Sequence, residues 1–258
     1  MKEINFPTEL HRTATNASKD FFLNQQHIDT ILLVNSLARG KATPESDIDM
    51  AILVPVTTTI AERERLYSIW KEFLNSDPGL KQFRRSSKFA QIHLDIFDGV
   101  FEPAPWEDGG AINSFELEIG NRILYSEPLN GMGEYFKKLR SKWLPYYEEE
   151  LQVERLQLAK ESCLYELDHV PFFVKRNLHF HAFDKLYLSL QKFLQTIFIK
   201  HKTYPIAYNK WIKEQVVEIL NLPQLYKVLP GIISVDKLES SEIIVKANTL
   251  RTLVDQYC

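Results

Sequence analysis

Residues 31–54 read ILLVNSLARGKATPESDIDMAILV, and this stretch decides the fold of the first part of the chain. It contains two aspartates, Asp47 and Asp49, one residue apart within an apolar run. Because side chains of a strand alternate between its faces, we expect both carboxylates on one face, about 7 Å apart, with Ile48 and Met50 facing the core. Two neighbouring carboxylates repel each other unless a cation lies between them, and Mg²⁺ prefers such oxygen ligands. The pair therefore predicts a metal site for phosphoryl transfer on a nucleotide.

A serine-containing turn precedes the aspartate pair, with Ser36 eleven positions before Asp47. The elements that carry a family resemblance are Asn35-Ser36, Ala38-Arg39-Gly40 and Ser46-Asp47-Ile48-Asp49. In this order they resemble the nucleotidyltransferase superfamily of DNA polymerase beta and kanamycin nucleotidyltransferase, in which a Gly-Ser pair precedes an Asp-apolar-Asp motif. The resemblance implies transfer of a nucleoside monophosphate, AMP from ATP, to an acceptor hydroxyl.

Two positions depart from the family pattern. Asn35 stands where the family has Gly, and Met50 stands where Leu is common. Glycine lets the backbone approach a triphosphate closely, and Asn is the next residue type most tolerant of a left-handed backbone. We therefore predict that the turn is preserved. The alternative is a nucleotide-binding relic, if the Asn35 side chain projects into the turn.

The Gly40-Lys41 pair does not belong to a P-loop. That motif needs a glycine five residues before Gly40 and a Ser or Thr after the lysine, whereas the chain has Asn35 and Ala42. A P-loop nucleotide site is excluded at this position.

A third carboxylate is predicted on a later strand. The segment Ile92–Phe97 alternates in polarity, so Asp95 lies on the face opposite the apolar residues, together with His93. Asp98, beside Gly99, fits a turn. The resemblance implies that Asp95 is either a third metal ligand or the general base toward the acceptor hydroxyl.

The resemblance implies two Mg²⁺ ions held by Asp47, Asp49 and Asp95. The residues expected to bind the nucleotide are Asn35, Ser36, Arg39, Lys185 and Lys210, with Lys41 as a further candidate. For Lys185, a solvated side chain or a pair with Asp184 is the alternative. Near Lys210, the rings of Tyr208 and Trp211 either stack on a base or wedge two helices together.

Periodicity predicts an α+β protein: a small mixed sheet with flanking helices, followed by an all-α bundle. The expected elements of the first part are a helix at Thr8–Asn24, strands at Ile28–Val34, Ile48–Val54 and Ile92–Phe97, a helix at Ile60–Leu74, and a short closing strand at Ile119–Tyr125. Pro128, Gly131 and Gly133 indicate a boundary near residue 130. We therefore expect a nucleotidyltransferase domain over 1–130 and a helical, substrate-binding domain over 131–258.

The second part is predicted to be almost wholly helical. Apolar residues recur every three or four positions at Phe183, Leu186, Leu190, Phe193 and Ile197. Tyr146–Asp168 and Ile243–Tyr257 carry comparable patterns. Prolines, Pro171 and Pro230 among them, are expected to separate the segments.

Composition sets outer limits on the function. The chain has 258 residues, a formal net charge of −3 and two cysteines, Cys163 and Cys258, without metal-site spacing. The charge argues against a dedicated nucleic-acid surface. No apolar run is long enough for a membrane span and no signal peptide is evident, so a cytoplasmic location is expected.

The expected acceptor is a small hydroxylated molecule, and the resemblance implies an aminoglycoside-like or lincosamide-like antibiotic. The acids in Glu102–Asp108, Glu116 and Glu118 are candidates to meet a cationic acceptor, although solvated loop charges are the common alternative. A competing signal is Arg176-Asn177 followed by His181, which resembles the motif of HEPN ribonucleases. That alternative implies a toxin–antitoxin-related protein that modifies RNA or protein.

Overall fold

The computed structural model describes residues 4–104 and 112–258. The chain divides into two compact units. The sheet unit comprises Met1–Phe101 and Glu118–Leu144, and the helical unit comprises Glu102–Leu117 and Pro145–Cys258. The boundary predicted near residue 130 differs from this division, which keeps residues 118–144 with the sheet. Residues 105–111 lie outside the described residues, and they include positions 105–108 of the predicted acidic segment.

A mixed four-stranded sheet forms the centre of the sheet unit, in the order β3-β2-β1-β4 within the described residues. The strands are β1 (Thr30–Leu33), β2 (Ile48–Leu53), β3 (Ile92–Phe97) and β4 (Glu127–Pro128). Strand β1 pairs antiparallel with β2 and β4, whereas β2 and β3 run parallel. A parallel pair needs a long crossover, and here the helices α3 (Ile60–Ser76) and α4 (Pro78–Ser86) supply it. The predicted mixed sheet is confirmed.

Helices pack on one face of this sheet around an apolar core. Helix α1 (Glu9–Leu23) starts at Thr8, whose hydroxyl accepts a hydrogen bond from the His11 backbone N–H. Helix α3 starts with a capping box between Thr59 and Glu62. The buried core of this unit includes Ala14, Phe22, Ile31, Leu33, Leu37, Ile48, Met50, Ile52, Trp70, Leu80, Phe83 and Ile92. Since Ile48 and Met50 belong to that core, the intervening Asp49 faces away from it.

The segment predicted as a closing strand, Ile119–Tyr125, is helical, and that prediction was wrong. Helix α5 (Phe115–Ile119) continues into a π-helical turn, Gly120–Leu124. The buried residues Ile119 and Ile123 are four positions apart, a spacing that suits one helix face and not the two-residue period of a strand. The fourth strand begins later, at Glu127, and pairs with β1 over two residues.

Helix α6 (Glu134–Trp143) is joined to the sheet through its first turn. The Asp29 carboxylate accepts hydrogen bonds from the backbone N–H groups of Tyr135 and Phe136, at 2.9 and 3.0 Å. Only glycine fits at position 133, because an added Cβ would lie 2.3 Å from an Asp29 oxygen. The glycine expected to mark a domain boundary therefore lies at a close contact inside the sheet unit.

The helical unit is built on α7 (Glu149–Lys175) and α8 (His179–Lys200), which are joined by a short turn. A π-helical turn (Glu214–Ile219), α9 (Pro223–Ile233) and α10 (Glu242–Tyr257) follow. Their shared core includes Cys163, Leu167, Leu186, Phe193, Ile197, Val216, Leu229, Ile243 and Leu250. The predicted helical bundle is confirmed. Pro171 and Pro230, expected to separate helices, instead lie inside α7 and α9 near their C-terminal ends.

A buried ion pair in the helical unit links Glu116 to Arg155. The Arg155 guanidinium donates from Nε and Nη2 to the two Glu116 oxygens, each at 2.8 Å, and both residues are almost completely buried. The same carboxylate accepts hydrogen bonds from Gln195 Nε2 at 2.9 Å and Tyr147 OH at 3.2 Å. Glu116 is thus occupied by internal partners, and it does not meet an acceptor as the sequence suggested.

Among the described residues, no helix combines the length and the apolar character needed to cross a membrane.

Replacing Glu116 by the isosteric glutamine tests this pair. Glu116→Gln leaves the Arg155 guanidinium buried without a counter-charge, and we expect a loss of about 3–5 kcal/mol in the free energy of unfolding. Urea denaturation measures it. The control is Glu134→Gln, which removes an exposed ion pair with Lys137 and should leave the midpoint nearly unchanged. Equal midpoints for the two variants would contradict the prediction.

Candidate active site

The turn after β1 has the backbone expected for close approach to a ligand. Asn35 has φ 57°, in the left-handed region, and it starts the short helix α2 (Asn35–Ala38). The Lys41 N–H donates to the Ser36 carbonyl at 2.9 Å, and Gly40 has φ 70°. Asn35 thus has the conformation that glycine adopts most readily, as the sequence analysis predicted.

The first aspartate lies at the start of β2. The loop before it is held by the buried His11, whose Nε2 contacts the Ser46 carbonyl at 3.0 Å. Ser46 Oγ accepts a hydrogen bond from the Thr43 N–H at 2.9 Å. These contacts fix the loop that leads into β2. Asp47 is the last residue of that loop, and it is followed by Ile48, the fully buried first residue of the strand.

Three potential metal ligands lie close together where strands β2 and β3 begin: Asp47, Asp49 and His93. Each offers one ligand atom, and these atoms all lie within 4.8 Å of one another. Asp49 and His93 are direct partners in the parallel ladder. His93 Nε2 lies 3.3 Å from Asp47 Oδ2, and 61% of the His93 side chain is exposed. This donor set, two carboxylates and an imidazole open to solvent, fits a divalent metal.

The third predicted acid, Asp95, has a different neighbour. It pairs in register with Ala51, two residues further along the sheet than His93. Its Oδ2 lies 2.7 Å from Arg122 Nη2, and Arg122 Nη1 donates to Glu118 Oε2 at 3.1 Å. Asp95 does not belong to the group of ligand atoms formed by the other two aspartates and His93.

Arg122 is a site residue that the sequence analysis missed. It lies in the π-helical turn that had been assigned to a strand, and its guanidinium sits 5.1 Å from the centre of the Phe97 ring. The available signal was the spacing of Glu118 and Arg122, four residues apart, which forms an ion pair only on a helix.

A pocket of about 190 Å³ collects these groups in the sheet unit. Its lining residues are Val34, Asn35, Asp49, Met50, Ala51, His93, Leu94, Asp95, Asn121 and Arg122. The pocket thus joins the left-handed turn, two of the metal-ligand candidates, Asp49 and His93, and the Asp95–Arg122 pair. Ser36 and Arg39 belong to the same turn, and Lys41 is exposed just beyond it.

The two remaining nucleotide-binding candidates lie in the helical unit. Lys185 Nζ lies 2.8 Å from Glu166 Oε2, and the buried Lys192 donates to Glu166 Oε1 at 2.8 Å. Burial raises the pKa of the Glu166 carboxyl, but the hydrogen bonds and charges of the two lysines outweigh it and hold that pKa below its usual value. Lys185 therefore pairs with Glu166, a partner that the sequence did not indicate.

Lys210 lies in an exposed loop, where its carbonyl accepts a hydrogen bond from Gln215 Nε2 at 2.8 Å. Of the nearby rings, Tyr208 is buried within the helical unit, which favours the packing role considered for it. Trp211 is 40% exposed.

The residues of the competing ribonuclease motif lie at the α7–α8 turn. Arg176 stacks over the Phe172 ring at 5.1 Å, and the His181 ring contacts the Phe173 ring at 4.2 Å. Both side chains thus make aromatic contacts with α7.

Comparison with known proteins agrees with this geometry. Residues 16–96 match the family model described as polymerase beta, nucleotidyltransferase. A comparison of the chain with curated proteins found no match. The matched range contains the Ser36 turn, the three aspartates and His93 on a mixed sheet with flanking helices. Residues 16–96 thus form a nucleotidyltransferase domain of the polymerase beta type, and a helical region follows it in the chain.

Proposed function

We propose that this protein is a nucleotidyltransferase that depends on a divalent metal ion, Mg²⁺ in the family that it resembles, and that moves AMP from ATP to a hydroxyl of a small molecule. The observation that carries the proposal is the cluster of Asp47, Asp49 and His93 beside the left-handed turn at Asn35. Two carboxylates kept together on one strand face have a clear chemical use when a cation binds them.

The metal supplies charge neutralisation on the triphosphate and on the departing pyrophosphate. Asp47 and Asp49 hold it, because their carboxylates are the hard oxygen ligands within mutual reach. The family resemblance favours two ions, and the open, partly exposed edge of the site leaves space for the phosphates as further ligands.

The turn at residues 35–40 binds the outer phosphates in this proposal. The left-handed backbone at Asn35 is of the kind that forms anion-binding concavities from successive N–H groups, and the Ser36 hydroxyl is a further donor in this proposal. Arg39 and Lys41 add positive charge at the same turn. Lys185 and Lys210 remain proposed nucleotide contacts, and the Lys185 ammonium group is also paired with Glu166.

Asp95 acts on the acceptor. One carboxylate oxygen, Oδ2, is held by Arg122, which fixes the orientation of the group within the pocket. The other oxygen accepts the proton as the acceptor hydroxyl attacks the α-phosphate.

The acceptor is a small hydroxylated molecule in this proposal. The net charge of −3 does not favour a polynucleotide. The choice of an aminoglycoside-like or lincosamide-like compound rests on the family resemblance, since Glu116 is buried against Arg155 and Glu118 contacts Arg122. Neither acid thus serves as a ready contact for a cationic acceptor.

The metal ligands are tested by Asp49→Ala. We expect nucleotide-dependent turnover to fall about a thousandfold or more, because loss of a ligand removes about 4 kcal/mol of transition-state stabilisation. Pyrophosphate release measures turnover, and circular dichroism verifies the fold. Asp98→Asn, at the end of β3 and paired with Arg63 at 3.1 Å, is the matched control and should keep its activity. Unchanged magnesium–ATP binding by Asp49→Ala in calorimetry would contradict the assignment of Asp49 as a metal ligand.

The turn is tested by Asn35→Gly. Glycine relieves a left-handed backbone cost of about 1 kcal/mol, so we expect activity to be kept or raised. Asn177→Gly, at φ 60° in the helical unit, gives the same relief away from the pocket and should leave the rate unchanged. A loss of activity in Asn35→Gly alone would show that the asparagine side chain itself contacts the substrate.

The acceptor class is tested with labelled ATP and divalent metal. The protein is incubated with a panel of hydroxylated antibiotics, then with total RNA and with lysate proteins. We expect label in a small molecule, and none with Asp49→Ala. Label that appears only in RNA or only in protein would overturn the small-molecule acceptor while leaving the nucleotidyltransferase assignment in place.

A further inference from the structure

The parallel pairing of β2 and β3 decides which residue of β3 lies next to the aspartate pair. His93 is the direct partner of Asp49, and neighbouring strands are about 4.8 Å apart. Its imidazole reaches Asp47 as well, with 3.3 Å between Nε2 and Oδ2. The imidazole thus occupies the third corner of the group, where a third carboxylate was expected.

Asp95 is separated from this group by both position and charge. It lies across from Ala51, and its carboxylate is 2.7 Å from a guanidinium nitrogen of Arg122. Arg122 is itself held by Glu118 at 3.1 Å and by the face of the Phe97 ring. A metal ion bound to Asp95 would have to displace this cation or lie beside it, and like charges repel.

We propose that His93, and not Asp95, is the third protein ligand of the metal site, and that the site therefore prefers Mn²⁺ to Mg²⁺. This inference rests on the proposed function, because it concerns the same metal. It assigns Asp95 and Arg122 to the acceptor side of the pocket and His93 to the metal side.

The preference follows from the ligand set. Mg²⁺ is a small, hard ion that binds oxygen ligands and keeps several waters. Imidazole nitrogen suits transition ions, and Mn²⁺ accepts it together with carboxylates. Exchanging one carboxylate for a neutral imidazole also lowers the negative charge of the site, which weakens binding of an ion held mainly by charge. Both effects favour Mn²⁺.

The competing explanation is that His93 only forms an ion pair with Asp47. In that case its removal would leave the metal affinity almost unchanged or would raise it, because a group that competes with the metal for Asp47 is lost. The two explanations therefore predict opposite outcomes for one substitution.

Electron paramagnetic resonance of the full chain with Mn²⁺ alone, without nucleotide, separates them. We expect nitrogen coupling from one imidazole in the spin-echo modulation of the wild-type protein and its loss in His93→Gln. The Mn²⁺ affinity of His93→Gln should fall by about tenfold or more. Asp95→Asn should keep both the coupling and an affinity within about twofold of wild type, as should the control Asp98→Asn. His93 is mostly exposed, so glutamine there is compatible with folding.

A gain-of-function variant gives a second, independent measurement. His93→Asp supplies a third carboxylate at the same place, and the ratio of Mg²⁺ to Mn²⁺ dissociation constants should fall by about tenfold or more. Unchanged Mn²⁺ binding in His93→Gln, or its loss in Asp95→Asn with retention in His93→Gln, would overturn the inference and leave the proposed function standing. Absence of any Mn²⁺ or Mg²⁺ binding to the wild-type protein would overturn both.

Discussion

Repulsion between two carboxylates on one face of β2 is the constraint on which the site depends. Their oxygen atoms lie within 4.8 Å of each other, and two like charges at that distance repel by about 0.9 kcal/mol in water and about 3.5 kcal/mol at the effective dielectric near a protein surface. The core does not offset this repulsion, because Ile48 and Met50 face the core and the two aspartates face away from it. The imidazole of His93 and the turn at Asn35 both lie next to the negatively charged aspartate pair.

The sheet unit positions the site by connecting elements that are far apart in the sequence. The parallel pairing of β2 with β3 brings His93 next to Asp49. The antiparallel pairing of β1 with β2 brings the Asn35 turn to the same end of the sheet. The π-helical turn aims Arg122 at Asp95. Turns of this kind are uncommon and occur often at functional sites, which agrees with the place of Arg122 in the pocket.

Charge is handled differently in the helical unit, where it is buried and paired. Glu116 is matched by Arg155, and Glu166 is matched by Lys185 and Lys192. Such groups contribute little net stability compared with apolar residues of the same size, but removing one partner is costly. Since Glu116 belongs to the segment that lies between the two parts of the sheet unit in the sequence, its pair with Arg155 fixes that segment to the bundle.

Local patterns in the sequence determined the nucleotidyltransferase character of residues 16–96, the mixed sheet, the position of Asp47 and Asp49 on one side of the sheet, and the helical character of the second part. Motif spacing and the two periodicities act over a few residues, so they can be read without tertiary contacts. Only the tertiary structure decided that His93 completes the ligand group, that Arg122 holds Asp95, and that Glu116 and Lys185 are engaged by internal partners. Strand register, the helical state of residues 119–124, and pairs such as Glu116 with Arg155 depend on packing between segments distant in the chain, which local patterns do not encode.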